Sequence, residues 1–257
     1  MKEISGEEYR ATKGAVSLYL WRKRSADRPP SAARPPIVLV HGSSLSGRPS
    51  YDLTVPGHPD YSFMDWLAAR GWDVWTLDHE GYGHSTITDG NSDIASGVAD
   101  LVAATDLIAG VTGSRAVHAY GLSSGSLRAA GFAQAAPDRV ARLVLDAFVW
   151  TGKGSPTLSK RREGIEFFRA NNRRPIDRKF IESIFTRDLP GTSDPAVVVA
   201  CADAREDAVQ QADARLARGN ERSGVGHHRD QRDLPDVGRF ARHIRSGDHG
   251  HLVATPI

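Results

Sequence analysis

A single cysteine, Cys201, in 257 residues excludes an internal disulfide framework and fits a reducing compartment. As a lone thiol it is expected to act as a small buried apolar residue. Charge of one sign is also lacking. The 33 Lys and Arg stand against 31 Asp and Glu, for a formal net charge of +2, and the basic residues are scattered, so no footprint for nucleic acid or another polyanion is present. Met1-Lys2-Glu3-Ile4-Ser5-Gly6-Glu7-Glu8 puts acids where a secretory signal needs a basic end and an apolar core. No apolar run approaches the roughly 18 residues of a membrane-spanning helix. The expectation is a soluble cytoplasmic protein with no membrane and no nucleic-acid partner.

What the chain does contain is enough apolar residue for a core. At 257 residues and 40% hydrophobic, it can bury roughly 70–75% of the surface its unfolded form exposes, as one α/β domain with an insertion. Val16, Leu18 and Leu20 alternate after Glu8 to Thr12 and Gly14, which predicts an antiparallel hairpin. Pro29 to Pro36 is a stiff connector. Ile37-Val38-Leu39-Val40 is apolar without alternation, as a strand buried on both faces would be. Tyr61 to Arg70 reads as a helix with Phe63, Trp66 and Leu67 on one face, closed by Gly71. Strands over Trp72 to Leu77, Val117 to Tyr120 and Leu143 to Leu145 alternate with helices over Ile94 to Ile108 and Ser126 to Ala135. That alternation predicts a mostly parallel sheet with helices on both faces.

The pattern sets domain expectations of a core over 1–149, a helical cap insertion over 150–202 and an atypical segment over 203–257. In the cap, helices are expected over Gly164 to Ala170 and Lys179 to Thr186, with Val197-Val198-Val199 as the one strand-like run. Phe167, Phe168, Phe180 and Phe185 would either pack the cap or supply an apolar acyl pocket. Lys160-Arg161-Arg162, Arg169 and Arg173-Arg174 are interleaved with Glu163 and Glu166, as on a solvated helix face.

Gly121-Leu122-Ser123-Ser124-Gly125 occupies a strand-to-helix corner. A tight strand-turn-helix presents its central residue outward in a strained backbone, and only small neighbours let the helix begin so close to the strand. Acyl transfer needs a nucleophile, a base to take its proton, and donors aimed at the developing oxyanion. Ser123 is the candidate nucleophile, and the backbone N–H groups of Ser124 and Ser43 are the candidate oxyanion donors. His118, in mid-strand, is set aside as a base.

Three motifs in order, His41-Gly42-Ser43, Asp78-His79-Glu80-Gly81-Tyr82-Gly83-His84-Ser85 and Gly121-Leu122-Ser123-Ser124-Gly125, resemble the α/β-hydrolase superfamily of esterases, lipases and lactonases. The resemblance covers roughly residues 8 to 150. It implies the α/β-hydrolase fold, cofactor-free serine hydrolysis of a small carboxylic ester or related acyl substrate, and a triad in the chain order Ser, acid, His. His41 would order its loop, and the Asp78 to Ser85 loop would shape the sheet edge. A serine at position 123 also argues against relatives with an aspartate nucleophile.

On this pattern the base is His251 in Gly250-His251-Leu252-Val253, with His249 as alternative and His227-His228 as solvated loop. The acid is Asp146, at the end of Leu143-Val144-Leu145. A competing alignment puts Ile244 to Gly250 on the acid-bearing turn. Glycine then stands at position 250, and the chain ends before any base. From about Arg205 the chain loses Val/Ile/Leu strands and gains Arg, Asp, Gly and His, as misread GC-rich codons would give. The expectation is therefore a tail that is disordered or out of frame. The alternative to an enzyme is a catalytically silent paralogue that binds a small molecule.

No other cofactor chemistry is indicated. Gly42 and Gly47 have phosphate-loop spacing but are followed by Arg48-Pro49, lacking the Lys and hydroxyl such a loop uses. There is no dinucleotide fingerprint and no set of metal ligands at recognisable spacing.

Overall fold

The computed structural model describes residues 3–31, 33–149, 154, 159, 162–172, 176–186, 189 and 191–204. Its elements in chain order are β1 (Ile4–Lys13), β2 (Val16–Ser25), β3 (Ile37–Val40), α1 (Gly47–Tyr51), α2 (Phe63–Ala68), β4 (Val74–Leu77), α3 (Ile94–Thr112), β5 (Val117–Leu122), α4 (Ser124–Ala135) and β6 (Val140–Asp146). Three helices follow: α5 (Ile165–Ala170), α6 (Arg178–Thr186) and α7 (Pro195–Ala204).

The six strands form one sheet in the order β1-β2-β4-β3-β5-β6. β1, β2 and β4 pair antiparallel, and β4, β3, β5 and β6 run parallel. Alternation along each strand sends successive side chains to opposite faces. Val38, Val40, Trp75, Leu77, Val117 and Ala119 join Leu101, Ala104, Ile108, Ala129 and Phe132 of α3 and α4 in the main core. Leu39 and Val74 join Tyr51, Met64, Leu67 and Ala68 of α1 and α2 on the other face. This is the α/β-hydrolase fold, with helices on both faces as the sequence predicts.

Local chemistry sets the element ends. Ser62 caps α2, its Oγ accepting from the Asp65 N–H at 3.0 Å and donating to Asp52 at 2.6 Å. Asp93 caps α3, accepting from the Ser96 N–H at 2.7 Å, and Gly113 closes that helix at φ 73°.

One expectation gains detail and two need correction. The inner face of α2 is Met64, Leu67 and Ala68, at helical i, i+3, i+4 spacing, while Phe63 and Trp66 stack on each other at the surface, 37% and 49% exposed. Val197-Val198-Val199 is helical, within α7, because the run is one turn of a segment whose apolar residues extend through Ala202. Finally, α3 is by length and composition apolar enough to cross a membrane, against the reading that no such run exists. Here its Leu101, Ala104 and Ile108 stripe is spent on the main core.

Candidate active site

The chain leaves β3 toward β4 on one side and later returns to β5 on the other, so the topological switch point, where open α/β sheets commonly place their sites, lies at the carboxyl ends of β3 and β5. Ser43 follows β3 and Ser123 follows β5. Ser123 has φ 56° and ψ −120°, a conformation that side-chain-bearing residues rarely adopt.

The surroundings over-determine that strain. A Cβ on Gly121 would sit 2.5 Å from the Gly125 carbonyl oxygen, and one on Gly125 only 2.2 Å from the Val40 carbonyl oxygen. Neither position has room for a side chain, so helix α4 starts hard against the sheet. The Ser123 N–H donates to the Asp146 carbonyl at 2.9 Å, and the Ser126 hydroxyl donates to the same carbonyl at 3.0 Å and to the Ser123 carbonyl. The elbow is thus tied to the end of β6.

The β3 loop abuts the elbow. A Cβ on Gly42 would be 3.9 Å from Ser123 Oγ, so Ser43 and Ser124 flank Ser123 from two elements. Both are buried, at 5% and 9% exposed, while Ser123 is half-buried. Ser124 heads α4, where backbone N–H groups have no helical partner and the helix dipole favours negative charge.

His41 is committed to the loop. Its Nδ1 faces the Gly42 carbonyl at 2.7 Å and its Nε2 accepts from the His79 N–H at 3.1 Å, which sets the tautomer with the proton on Nδ1. Burial, with His79 and Arg128 nearby, holds its pKa well below the usual range. The loop after β4 is likewise structural. Asp78 accepts from the Gly47 N–H at 2.8 Å and the His84 N–H at 2.9 Å. Burial raises its pKa to about 6 against those two bonds. Gly83 is at φ +47°, with its missing Cβ 2.1 Å from Asp78 Oδ2.

Behind this loop lies a polar network that sequence reasoning missed. His79 Nδ1 meets Asp100 Oδ2 at 3.0 Å, both fully buried, and Lys13 pairs with Asp100 and, at 2.6 Å, with Glu80. Burial lowers the His79 pKa to about 4, helped by the charge of Arg128 and opposed by Asp100. Burial pushes the Asp100 carboxyl up, but hydrogen bonds and charge from His79 and Lys13 outweigh it and hold it at about 2. The signal was available: Asp100 is a lone acid on the same stripe of α3 as Gly97, Leu101, Ala104 and Ile108, and such an acid requires a buried partner. Arg128, 1% exposed, lies over Gly97 and donates to the Ser92 carbonyl at 2.7 Å. Its Nε and Nη1, like Ser124 Oγ and His79 Nε2, have no hydrogen-bond partner among the described residues.

Asp146 lies beside the elbow, its carbonyl bracing Ser123 and its carboxylate accepting from the Tyr120 hydroxyl. His118 sits at the opposite end of β5 from Ser123, against Trp72. At about 3.3 Å per residue it is roughly 16 Å away. None of the five described histidines hydrogen-bonds to Ser123 or Asp146. His251, His249 and His227-His228 lie outside the described residues, as do Ile244 to Gly250, Lys160-Arg161, Arg173-Arg174 and the whole segment from Arg205 on which the out-of-frame reading falls. Cys201 is buried and free, and burial raises its thiol to about 11.

Helices α6 and α7 pack beside the β3 loop. Ile181, Cys201 and Ala202 form a small cluster with Leu45, Leu53, Ile176 and Phe185, which brings Phe185 to the loop that carries Ser43. Phe167 and Phe168 pack edge to face on α5.

Sheet order, strained elbow and flanking loop together have the architecture of the α/β-hydrolase fold. The family model for serine aminopeptidase, S33, matches residues 60–163, which hold both the Asp78 loop and the elbow. Among solved structures, the chain is similar to E-2-(acetamidomethylene)succinate hydrolase, at 15% identity and TM-score 0.54, covering 93% of this chain and 74% of that one. It is also similar to carboxylesterase CesB from Bacillus subtilis, at 15% identity and TM-score 0.53, covering 87% and 67%. A third is epoxide hydrolase VrEH1 from Vigna radiata, at 15% and 0.52, covering 92% and 74%. These likenesses describe the fold. The chain spans 64% of the length of the thioesterase domain from the curacin biosynthetic pathway and 63% of a membrane phospholipase A, which it also matches. No curated protein matches the chain in sequence.

Proposed function

We propose that this chain is a serine hydrolase that cleaves a small carboxylic ester or related acyl or carbonyl substrate through an acyl-enzyme on Ser123. Ser123 Oγ attacks the carbonyl carbon and passes its proton to His251, with Asp146 as the acid. The N–H groups of Ser43 and Ser124 receive the negative charge on the carbonyl oxygen. The alcohol leaves with the proton, and water releases the acid by the same route in reverse. The reading includes helices α5 to α7 as a cap on the substrate side and a cytoplasmic protein that uses no cofactor and binds neither membrane nor nucleic acid.

The observation that carries it is the strained Ser123 backbone, held between two glycines that have no room for a side chain. Strain of this kind persists only where its surroundings enforce it, and here it sets the Ser123 hydroxyl next to the Gly42 turn, 3.9 Å from where a Gly42 side chain would begin.

A second reading follows from the histidines. None of the five described ones pairs with Ser123, so a silent binding protein that keeps the elbow without a base stands as the alternative. A fluorophosphonate probe separates the two. Labelling of the wild type that disappears in Ser123→Ala supports the hydrolase. A folded, unlabelled wild type that still binds short-chain esters supports the silent form.

A further inference from the structure

Burying a guanidinium is costly, and ordinary core packing does not call for one. Arg128 is nevertheless 1% exposed on α4, one turn beyond Ser124. Its path is cut for it. A Cβ on Gly97, inside α3, would lie 2.4 Å from both Cδ and Nε of Arg128, so the side chain crosses that helix only because the residue is glycine, otherwise a weakening choice there. Beyond the crossing, Nη2 donates to the Ser92 carbonyl at 2.7 Å and pins the guanidinium, whose carbon stands 5.8 Å from the centre of the Tyr82 ring.

That ring packs on His41, and His41 packs on His79, with centroids 4.8 and 4.7 Å apart. The charged and titratable groups around the two imidazoles come from several elements. Asp100 of α3 meets His79, and Lys13 of β1 stands behind it, paired with Asp100 and Glu80. His79 and Tyr82 of the β4 loop face His41, and the charge of Arg128 on α4 acts on both histidines. After burial, that charge is the largest influence on His79, ahead of its bond to Asp100. Burial, His79 and Arg128 together hold His41 well below its usual range.

One peptide plane carries the consequence to the site. His41 Nδ1–H donates to the Gly42 carbonyl at 2.7 Å, and Nε2 accepts from the His79 N–H at 3.1 Å. In a trans peptide the Gly42 carbonyl and the Ser43 N–H point in opposite directions, so the first bond fixes where the Ser43 N–H aims. A proton on Nε2 would face the His79 N–H, two donors with no acceptor between them. The ring would then have to move and release the Gly42 carbonyl.

We propose that Arg128 is a positioning residue for the Ser43 N–H: threaded past Gly97, its guanidinium locks the His41–His79 hydrogen bond and, through it, the Gly42–Ser43 peptide. The inference rests on the use of that N–H in the proposed hydrolysis.

Three variants test it. Arg128→Met removes the charge and keeps much of the bulk, Arg128→Lys keeps the charge, and Gly97→Ala displaces the guanidinium without removing it. Fluorophosphonate labelling rates are compared as the ratio of variant to wild type, which cancels the titration of the base common to all. For Arg128→Met the ratio is expected to fall at least about tenfold between about pH 8 and pH 5, because a nearby like charge no longer opposes protonation of the histidines. Gly97→Ala should fall in the same direction, and Arg128→Lys should stay level. A ratio for Arg128→Met that is the same at every pH, or an equal fall for Arg128→Lys, overturns the proposal and leaves Arg128 a packing residue. The imidazole proton resonances of His41 and His79, followed by NMR over the same range, read the lock without activity. Both are expected to titrate at higher pH in Arg128→Met than in wild type, and unchanged titration overturns the proposal. A wild type that does not label removes the hydrolase reading, and the NMR comparison still decides the lock.

Discussion

Gly125 and Gly110 show how differently one residue type is used in the same chain. The Cβ missing from Gly125 would lie 2.2 Å from a β3 carbonyl oxygen and 2.6 Å from the next one, so Gly125→Ala must move backbone at the elbow. We expect it to destabilise the protein by about 1–3 kcal/mol or more in urea titration and to abolish fluorophosphonate labelling if the wild type labels. Gly110 sits exposed in α3 with nothing within 4 Å of the missing atom. Gly110→Ala should therefore stabilise by about 0.5–1 kcal/mol. Equal effects of the two substitutions would mean that the close approach at the elbow is absent.

At the scale of elements, α3 is held by its ends and by one buried acid. Asp93→Ala removes the acceptor for the Ser96 N–H and should cost about 1 kcal/mol in urea titration. The Asp100 network makes stability depend on pH. His79 has a folded pKa of about 4, below its unfolded value of about 6.5, so the stabilisation from its neutral form is present above about 6.5 and lost as pH falls toward 4. Asp78, raised to about 6, acts in the opposite sense between about 6 and its unfolded value. Asp100, held at about 2, adds a further loss below its unfolded pKa near 3.9. The stability advantage of wild type over His79→Gln should therefore shrink between pH 7 and pH 4, and an advantage constant across that range would show that His79 is not buried neutral. The sheet and its helices were legible in the sequence because strand and helix periods differ and because Ile37 to Val40 and the elbow are unambiguous. The Lys13–Asp100–His79 cluster was not, since its members come from β1, α3 and the loop after β4, and only folding brings them together. Phe63 and Trp66 share helical spacing with Leu67, and that spacing fits two adjoining faces, of which α2 turns the one with Met64, Leu67 and Ala68 inward. The placement of Ser43 after β3 and of Ser123 and Ser124 at the turn after β5 was readable from local motifs, while the proposed base falls in a distant part of the sequence where no strand pattern fixes its position.

Across the whole molecule, apolar burial is uneven, and this has a measurable consequence. The main core joins fifteen buried residues from both sides of the strand order, whereas Ile181, Cys201 and Ala202 form a satellite of three beneath α6 and α7. Among the described residues, that satellite, with polar ties such as the Tyr61 hydroxyl to Asp194 at 3.3 Å, joins these helices to the body. At roughly 25 cal/mol per Å² of apolar surface, so small a cluster opens at a lower free energy than the sheet, as subglobal units commonly do. Cys201 reports the opening, because it is fully buried and its thiol is held at about 11, leaving it almost unreactive until exposed. Trp75, fully buried in the main core, reports the sheet. In a urea series at pH 7.0, about neutrality where the His79 form is uncharged, thiol-reagent labelling of Cys201 should therefore rise well before the loss of the buried-tryptophan signal. Coincident transitions would mean that the helices beside the β3 loop and the sheet unfold as one unit, and that the surface over Ser43 does not open on its own.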